Sequence, residues 1–266
     1  MKLTRLAVAC VGTALVLGIS LAARADHRWN NYHWARTTPS FTLQTLDSTA
    51  PSGTNMNWPA VLRTAAAQWS QSTTFDLVVS PYDNSNRERR TCAAVDGAIR
   101  VCNFNYGNNG WLGWTTINLD PQGHITSSTA RINDSYSNYF RSDAINAPHT
   151  MCHEIGHTLG LGHTSEDGTS QDTCMDYSNS PTSIAPNQHD YDELLLIYAH
   201  TDSYDSYSTR TARSSERKAM PGEIPKGVRV HKGVFDETWV APDGRGGLWI
   251  HQVTLAPGFE HDELVH

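Results

Sequence analysis

Three histidines and a glutamate lie close together between residues 153 and 163, in the stretch HEIGHTLGLGH. If this stretch begins as a helix, His153 and His157 are four residues apart and lie on one face, about 6 Å from each other. Imidazole nitrogens suit zinc, and a catalytic zinc commonly has three protein ligands and one open position. Gly160 can end the helix in a left-handed turn, after which the chain can return His163 to the same ion. The spacing therefore predicts one catalytic Zn²⁺ held by these three histidines.

Glu154 follows the first of these ligands directly in the sequence. On a helix it points too far from the ligand triangle to join it, yet it can reach a water at the open position. Three neutral imidazoles would leave the full charge on zinc, which lowers the pKa of a bound water towards ~7. We expect Glu154 to act as the general base on that water and then as the acid for the leaving amine. The alternative is a buried amphipathic helix with incidental histidines.

The stretch resembles the zinc signature of the metzincin peptidases, HExxHxxGxxH, and its wording is most similar to that of the matrixins. The resemblance implies a methionine turn beneath the metal, and Met175 in TCMDY stands where that structural residue would lie, as Gly160 stands at the bend. Tyr177, two residues further on, matches the position of the tyrosine found near the metal in astacins and serralysins. It is therefore a candidate movable zinc ligand or oxyanion donor; the alternative is a tyrosine packed in the turn.

The first residues have the features of a secretory signal. Lys2 and Arg5 precede an apolar run over residues 6–23, and Ala-Arg-Ala at 23–25 offers a small-x-small cleavage site. We expect a signal peptide at residues 1–25 and a secreted, extracellular protein. An uncleaved membrane anchor is the alternative, because the apolar run is nearly long enough to span a bilayer.

Four cysteines remain after residue 25, and an even number in an oxidising compartment indicates disulfides. Three pairings are possible. We favour Cys92–Cys102 and Cys152–Cys174, because the second bridge would tie the residue before His153 to the residue before the methionine of the turn. A thiolate zinc site is the competing use of these cysteines, and the complete histidine set argues against it.

Composition and charge restrict the class of protein. The chain has 266 residues, of which 38% are hydrophobic and 18% charged, enough for one sizeable core and a small appendage. A net charge of -7 argues against a nucleic-acid partner. We expect a monomer with a polypeptide substrate and, once the signal is removed, no membrane. No loop carries well-spaced acidic residues, so calcium is possible but not indicated.

The order of elements predicts an α+β fold. Strand-like and helix-like patterns alternate, and the resemblance implies a metzincin-like domain over residues 26–200, with a twisted mixed β-sheet that includes an antiparallel edge strand. The zinc helix is expected over 143–161, with Asn146 as its cap, and a C-terminal helix over 190–200. Residues 201–227 have the composition of a linker. Residues 228–266 are expected to form a small β-rich appendage of unknown role.

The segment GWLGW at residues 110–114 begins a predicted strand. In the families that it resembles, the strand at this place is the antiparallel edge that pairs with an extended substrate. On that basis the substrate-binding residues would be Gly110, Trp111, Leu112, Gly113 and Trp114. The alternative, an interior strand with buried tryptophans, stays open because a sequence does not show which sheet edge is exposed.

Other histidines in the sequence could also be considered as zinc ligands. His149 lies four residues before the first ligand, but three ligands already leave the open position that catalysis requires. We expect it to be an ordinary surface histidine of the helix, and we expect the same of His124 and His189.

These observations predict a secreted zinc-dependent endopeptidase that hydrolyses peptide bonds with a glutamate-activated, zinc-bound water. Two alternatives stay open. One is an extracellular binding protein that zinc stabilises without catalysis, and the other is a zinc amidase that acts on a cell-wall peptide. The sequence has no cysteine-bearing prodomain switch of the matrixin kind, so the mechanism of latency is also open.

Overall fold

The protein is described from a computed structural model. The structure describes residues 26–52, 56–141, 144–207, 212–213 and 227–262. The signal peptide expected at residues 1–25 and most of the expected linker lie outside the described residues.

Strands and helices alternate through the first part of the chain, and among the described residues only strands follow the last helix. In chain order the elements are β1 (His33–Trp34), β2 (Phe41–Ser48), α1 (Trp58–Trp69), β3 (Phe75–Pro81), α2 (Asn86–Thr91), β4 (Val95–Asp96), β5 (Ala98–Phe104), β6 (Trp111–Leu119), β7 (His124–Asn133), α3 (Ser137–Arg141), α4 (Asn146–Thr158), α5 (Gln188–Ile197), β8 (Ala212–Arg213), β9 (Val228–Lys232), β10 (Asp236–Pro242) and β11 (Leu248–Leu255).

One mixed sheet organises the described residues, in the order β3-β2-β5-β7-β6-β11-β10-β9, with β1 pairing beside β7. Strands β3, β2, β5 and β7 run parallel to one another, whereas β6 is antiparallel to β7. Strand β6 is buried along its whole length, as expected of a strand covered on both faces. The α+β class predicted from the order of elements is confirmed.

Helix α1 packs beside the zinc helix, α4, and both helices contact the sheet. The buried residues of α1 recur at helical spacing, and the Asn57 side chain caps its first turn by accepting from the Ala60 amide. At the other end the Trp69 indole nitrogen donates to the Cys152 carbonyl oxygen at 3.0 Å. This hydrogen bond joins α1 to α4.

The prediction that β6 is the open antiparallel edge of the sheet is wrong for this structure. Strand β11 pairs with β6 from Leu248, opposite Leu119, to Leu255, opposite Trp111. The alternative of an interior strand therefore describes β6 correctly: its main-chain groups have partners on both sides, and a distant segment supplies one of them.

The C-terminal strands are not a separate appendage. Strands β9, β10 and β11 continue the main sheet as an antiparallel meander. Val253 of β11 shares a second small core with Tyr106, Trp111 and Trp114. Within the described residues, no helix is long and apolar enough to cross a membrane.

Candidate metal centre

Helix α4 presents the first two histidines. It begins at Asn146 and ends at Thr158, so Asn146 is its first residue and not its cap; the Asn146 amide nitrogen donates to the Tyr139 carbonyl oxygen. After the helix, Gly160 has a φ of +97°, and a Cβ there would lie 1.9 Å from the Tyr32 carbonyl oxygen. Only glycine fits this bend, because both the backbone angle and the contact exclude a side chain. The bend turns the chain back towards the helix and delivers His163.

The three predicted ligands meet at one point. Nitrogen atoms of His153, His157 and His163 all lie within 4.8 Å of one another, and the Nε2 atoms of His157 and His163 are 3.1 Å apart. Nδ1 of His153 lies 2.7 Å from the Cys174 carbonyl oxygen, and Nδ1 of His157 lies 2.8 Å from that of Leu161. Because a carbonyl oxygen only accepts, each Nδ1 carries its hydrogen and each Nε2 keeps its lone pair for a metal.

Burial keeps the imidazoles of His153 and His157 uncharged. It lowers the pKa of His153 well below the usual value, and it lowers that of His157 to about 3, with neighbouring histidines adding to both shifts. Nε2 of His153 is buried without a hydrogen-bond partner among the described residues. A buried nitrogen lone pair without a partner is costly unless a cation accepts it, so the donor set fits Zn²⁺.

Glu154 lies beside this cluster and is fully buried. Its Oε2 accepts a hydrogen bond from the Thr115 hydroxyl at 2.6 Å, and its Oε1 accepts one from the Thr254 hydroxyl at 2.7 Å. Burial raises the pKa of Glu154 to about 7, and the two hydroxyl donors offset only part of that effect. A carboxyl group with this pKa can exchange a proton near neutral pH.

Gly113 makes room for this carboxylate. A Cβ on Gly113 would lie 2.1 Å from Glu154 Oε1, so only a glycine in β6 lets the helix carboxylate approach the strand. The side chains of Trp111 and Trp114 are buried in the second small core, and that of Leu112 in the main core. The structure therefore brings Gly113 to the site, whereas these three side chains do not line an open cleft.

The methionine turn lies under α4. Met175 is fully buried, and a Cβ on Gly156 would lie 2.3 Å from its sulfur. The structure contains the Cys152–Cys174 disulfide, which joins the helix to this turn, and also Cys92–Cys102. Since the Cys174 carbonyl oxygen also accepts from His153, the turn both supports the helix and orients a ligand.

Tyr177 closes the cluster from the side of the turn. Its hydroxyl lies 2.7 Å from His163 Nε2, a nitrogen with which the ligand set would hold a metal. Burial raises the pKa of Tyr177 well above the usual value, so the phenol is neutral and can donate a hydrogen bond. Its ring stacks on Phe235 at 5.4 Å between centroids.

Three further residues of the site were not identified from the sequence. Asp236 has an oxygen 4.0 Å from His163 Nδ1, Glu166 has one at 3.6 Å, and Thr254 contacts Glu154. Glu166 follows the signature closely and could have been noticed as an acid beside a histidine. Asp236 and Thr254 come from the C-terminal strands, to which the sequence assigned no site, and no local pattern marks them.

His149 is buried, so the prediction of a surface histidine is wrong. Its Nδ1 lies 2.5 Å from the Ser183 carbonyl oxygen, and its ring stacks at 5.7 Å on that of His153. Burial lowers its pKa. It therefore packs behind the first ligand and is not one of the three nitrogens that meet.

A cavity of about 350 Å³ opens beside His157 and His163. The N-terminal segment forms one wall through Trp29 and its neighbours, and the C-terminal strands form another through His231 and Gln252. Small molecules therefore have room at the histidines even though the C-terminal strands lie on the sheet edge.

Comparison with known proteins points in the same direction as the geometry. Residues 20–191, more than half of the chain, match the family model Reprolysin_5, metallo-peptidase family M12. Among solved structures, the chain is similar to high choriolytic enzyme 1, a hatching enzyme zinc-protease from Oryzias latipes (medaka fish), at 12% identity and a TM-score of 0.32, over 64% of this chain and 95% of that chain. That likeness is too weak to carry an argument. No curated protein matches the chain.

Proposed function

Because the chain belongs to metallo-peptidase family M12, we propose that it is a secreted zinc-dependent endopeptidase in which Glu154 is the general base. One observation carries the proposal: nitrogen atoms of three histidines lie within 4.8 Å of one another, two of them with Nε2 lone pairs available to a metal, and a buried carboxylate lies beside them. Membership of the family supports zinc-dependent hydrolysis of peptide bonds. The narrower likeness to matrixins is supported only by the residues of the zinc motif and is not part of the proposal.

The site divides the work of hydrolysis among a few residues. His153, His157 and His163 would hold the zinc ion, which when bound polarises the scissile carbonyl and makes water more acidic. Glu154 accepts the proton of the attacking water and passes it to the leaving amine. Tyr177, a neutral phenol beside the same histidines, donates a hydrogen bond to the oxyanion.

Secretion is the part of the proposal that rests on the cysteines and the leader. Two disulfides lie within the described residues, and disulfides persist in oxidising compartments. A signal peptide over residues 1–25 would deliver the chain to such a compartment. The expected monomeric state and the absence of a nucleic-acid partner stay predictions.

The binding-protein alternative is weaker because of Glu154. A purely structural zinc site is closed by four ligands and has no use for a buried acid beside an open position. The amidase alternative shares the metal and the base, and only the substrate distinguishes it. Hydrolysis of unfolded casein, compared with release of peptide from a cell-wall preparation, separates these two functions.

Glu154→Gln tests the assignment of the base. The variant should keep the zinc content of the parent protein, because Glu154 is not a ligand, and should lose about 10²–10⁴-fold in the rate of casein hydrolysis. Asp192→Asn is the control, since this exposed carboxylate of α5 accepts a hydrogen bond from Gln188 of its own helix and is not part of the candidate metal centre. Zinc is measured by mass spectrometry of the metal. A Glu154→Gln protein as fast as the parent would remove the glutamate from the mechanism.

A further inference from the structure

A second group of histidines lies outside the candidate metal centre. His33 belongs to β1, His124 begins β7, and His200 and Asp202 follow α5. Side-chain nitrogen and oxygen atoms of His33, His200 and Asp202 lie within 4.8 Å of one another. His124 joins them, because its Nε2 lies 3.4 Å from Asp202 Oδ1. Four side chains from three distant parts of the chain therefore converge.

The distances between His33, His200 and Asp202 are close to those between the ligands of a tetrahedral metal ion, and His124 lies beside Asp202 but outside this mutually close set. The two Nε2 atoms of His33 and His200 are 3.2 Å apart. Asp202 oxygens lie 3.5 Å from His33 Nε2, 3.4 Å from His124 Nε2 and 3.5 Å from His200 Nε2. Four ligands at about 2.0–2.1 Å from zinc are about 3.3–3.4 Å from one another in a regular tetrahedron.

Hydrogen bonds at the other ring nitrogens orient two of the histidines. Nδ1 of His33 lies 2.7 Å from the Asn31 carbonyl oxygen and must carry its hydrogen. Nδ1 of His124 lies 2.7 Å from the Tyr204 hydroxyl, which in turn donates to Asp120 and so can only accept from His124. In the neutral rings both Nε2 lone pairs therefore point towards Asp202, as metal-binding histidines require.

Ordinary ion pairing with Asp202 explains the group less well. Two N–H groups cannot face each other at 3.2 Å, so at least one of the nitrogens in His33 and His200 presents a lone pair. One carboxylate also cannot neutralise three imidazolium ions. The contact between these two histidines repeats the one between His157 and His163, at 3.1 Å, in the candidate metal centre. The same arrangement of donors therefore occurs twice in this chain.

We propose that His33, His200 and Asp202 bind a second Zn²⁺ ion, which joins β1 to the segment that follows α5. His124 of β7 lies beside the Asp202 carboxylate, with its Nε2 3.4 Å from Asp202 Oδ1. The Arg36 amide, which donates to Asp202 Oδ2 at 2.9 Å, already holds this segment against the N-terminal residues.

His261 serves as a control for the second zinc site. Its Nε2 lies 2.8 Å from Glu237 Oε1, and among the described residues it belongs to none of the groups of metal-binding side chains.

Metal content of the full chain tests the second site. The zinc-loaded parent should contain two zinc ions per chain, and His200→Ala should contain one. The His200 side chain is 54% exposed, so the fold should tolerate the change. His261→Ala should keep two ions. His153→Ala should also contain one, and adding Zn²⁺ should still raise its unfolding temperature.

The outcomes separate this inference from the proposed function. A His200→Ala chain with as much zinc as the parent would overturn the second site and leave the catalytic one intact. If the parent bound one zinc ion and His153→Ala bound none, the second site would also be overturned and the catalytic site left intact. One ion that disappears in His200→Ala but stays in His153→Ala would support the second site and contradict the proposed catalytic zinc.

A different observation concerns the C-terminal strands and rests on the proposed function. Strand β11 lies antiparallel on β6, at the side of the sheet next to Glu154, where an extended peptide would have to pair. Thr254, opposite Gly113, donates to the Glu154 carboxylate, while Phe235 covers Tyr177 and Asp236 lies near His163. One short segment thus contacts the base, the phenol and a metal ligand.

From these contacts we infer that residues 227–262 are an autoinhibitory segment, which holds the peptidase latent until β11 leaves β6. The segment occupies the main-chain partners of β6 and uses a hydroxyl to bind the general base. The covalent link through residues 208–226 keeps its effective concentration high, which favours the blocked form over a substrate in trans.

Two matched substitutions in the full chain test this inference. Val253→Asp places a charge in the small core that holds β11 on β6, whereas Val228→Asp changes a valine of β9 that is 70% exposed. We expect Val253→Asp to raise both casein hydrolysis and the affinity for a peptidyl hydroxamate at least tenfold, and Val228→Asp to change neither. Circular dichroism checks that both variants are folded.

Hydroxamate binding distinguishes the failure of this inference from that of the proposed function. A folded Val253→Asp chain that binds the hydroxamate no better than the parent would overturn autoinhibition. Tighter binding without hydrolysis would support release of the cleft and contradict the peptidase assignment. As an independent check, cutting an engineered protease site placed within residues 214–226 should produce the same increase, and a peptide of residues 227–262 should reverse it.

Discussion

The Tyr177 hydroxyl and a metal ion would compete for the same lone pair. The hydroxyl lies 2.7 Å from His163 Nε2, so a metal bound there would remove this hydrogen-bond partner from the phenol. The neutral phenol then has a hydrogen to donate and lies among the ligands. This is the geometry expected of an oxyanion donor that moves during the reaction, and not of a tyrosine packed passively in the turn.

Tyr177→Phe should therefore lower the turnover number about a hundredfold and leave the Michaelis constant little changed, because the lost hydrogen bond belongs to the transition state. Tyr191→Phe is the matched control: that hydroxyl donates to the Gln68 carbonyl oxygen, away from the histidines. Steady-state kinetics on a fluorogenic peptide, with Val253→Asp as the background of both variants, measures the effect. Equal turnover numbers in the two variants would leave Tyr177 with a packing role alone.

Residues of the site could be predicted where they lie close together in the sequence. The three histidines and Glu154 lie within eleven positions, and helical spacing alone relates their side chains. Thr254 touches the same carboxylate from one hundred residues away, and Asp236 approaches His163 from another strand. Such contacts follow from strand pairing, which a single sequence does not encode in any local pattern.

At the scale of elements, the spacing between α4 and its neighbours depends on glycines, because they have no side chain. Gly113 lets Glu154 lie against β6, Gly156 lets Met175 lie against α4, and Gly160 reverses the chain. The sequence identified Gly160, because a helix needs a stop signal at a definable position. It did not identify the other two for this role, because a close approach between elements becomes visible only when both are in place.

The order and type of the elements near the site were also predictable. The residues of helix α1 have the 3.6-residue period of a helix, and those of strand β2 have the two-residue period of a half-buried strand. The edge of the sheet was not predictable, because a strand whose sequence suggests an exposed edge becomes interior when another segment pairs with it. Strand β11 does this to β6, which corrects both the open edge and the separate appendage.

At the scale of the whole molecule, the two groups of metal-binding side chains join segments that are distant in the chain. The candidate metal centre connects α4 to the bend after it, above the methionine turn. The second group connects β1, β7 and the residues after α5. The N-terminal segment and the region that leads to the C-terminal strands therefore share one fastening point, away from the reaction site.

Removing metal should consequently lower the stability of the entire chain. A ligand present at 100 times its dissociation constant stabilises the folded state by about 2.7 kcal/mol, and a change of 1 kcal/mol shifts the unfolding temperature by about 2–4 °C in a domain of this size. Each ion is therefore worth about 5–10 °C. Treatment with a chelator should lower the unfolding temperature of the parent by about the sum of the two contributions, as measured by calorimetry, and Zn²⁺ should restore it.

The variants divide this shift between the two sites. His153→Ala and His200→Ala should each respond to the chelator by about half as much as the parent, and the double variant should not respond. His261→Ala should respond like the parent, because His261 contacts Glu237 and belongs to none of the groups of metal-binding side chains among the described residues. If His200→Ala showed the full response of the parent, the stabilising metal would lie at the catalytic histidines alone. The convergence of His33, His124 and Asp202 would then be hydrogen bonding without an ion.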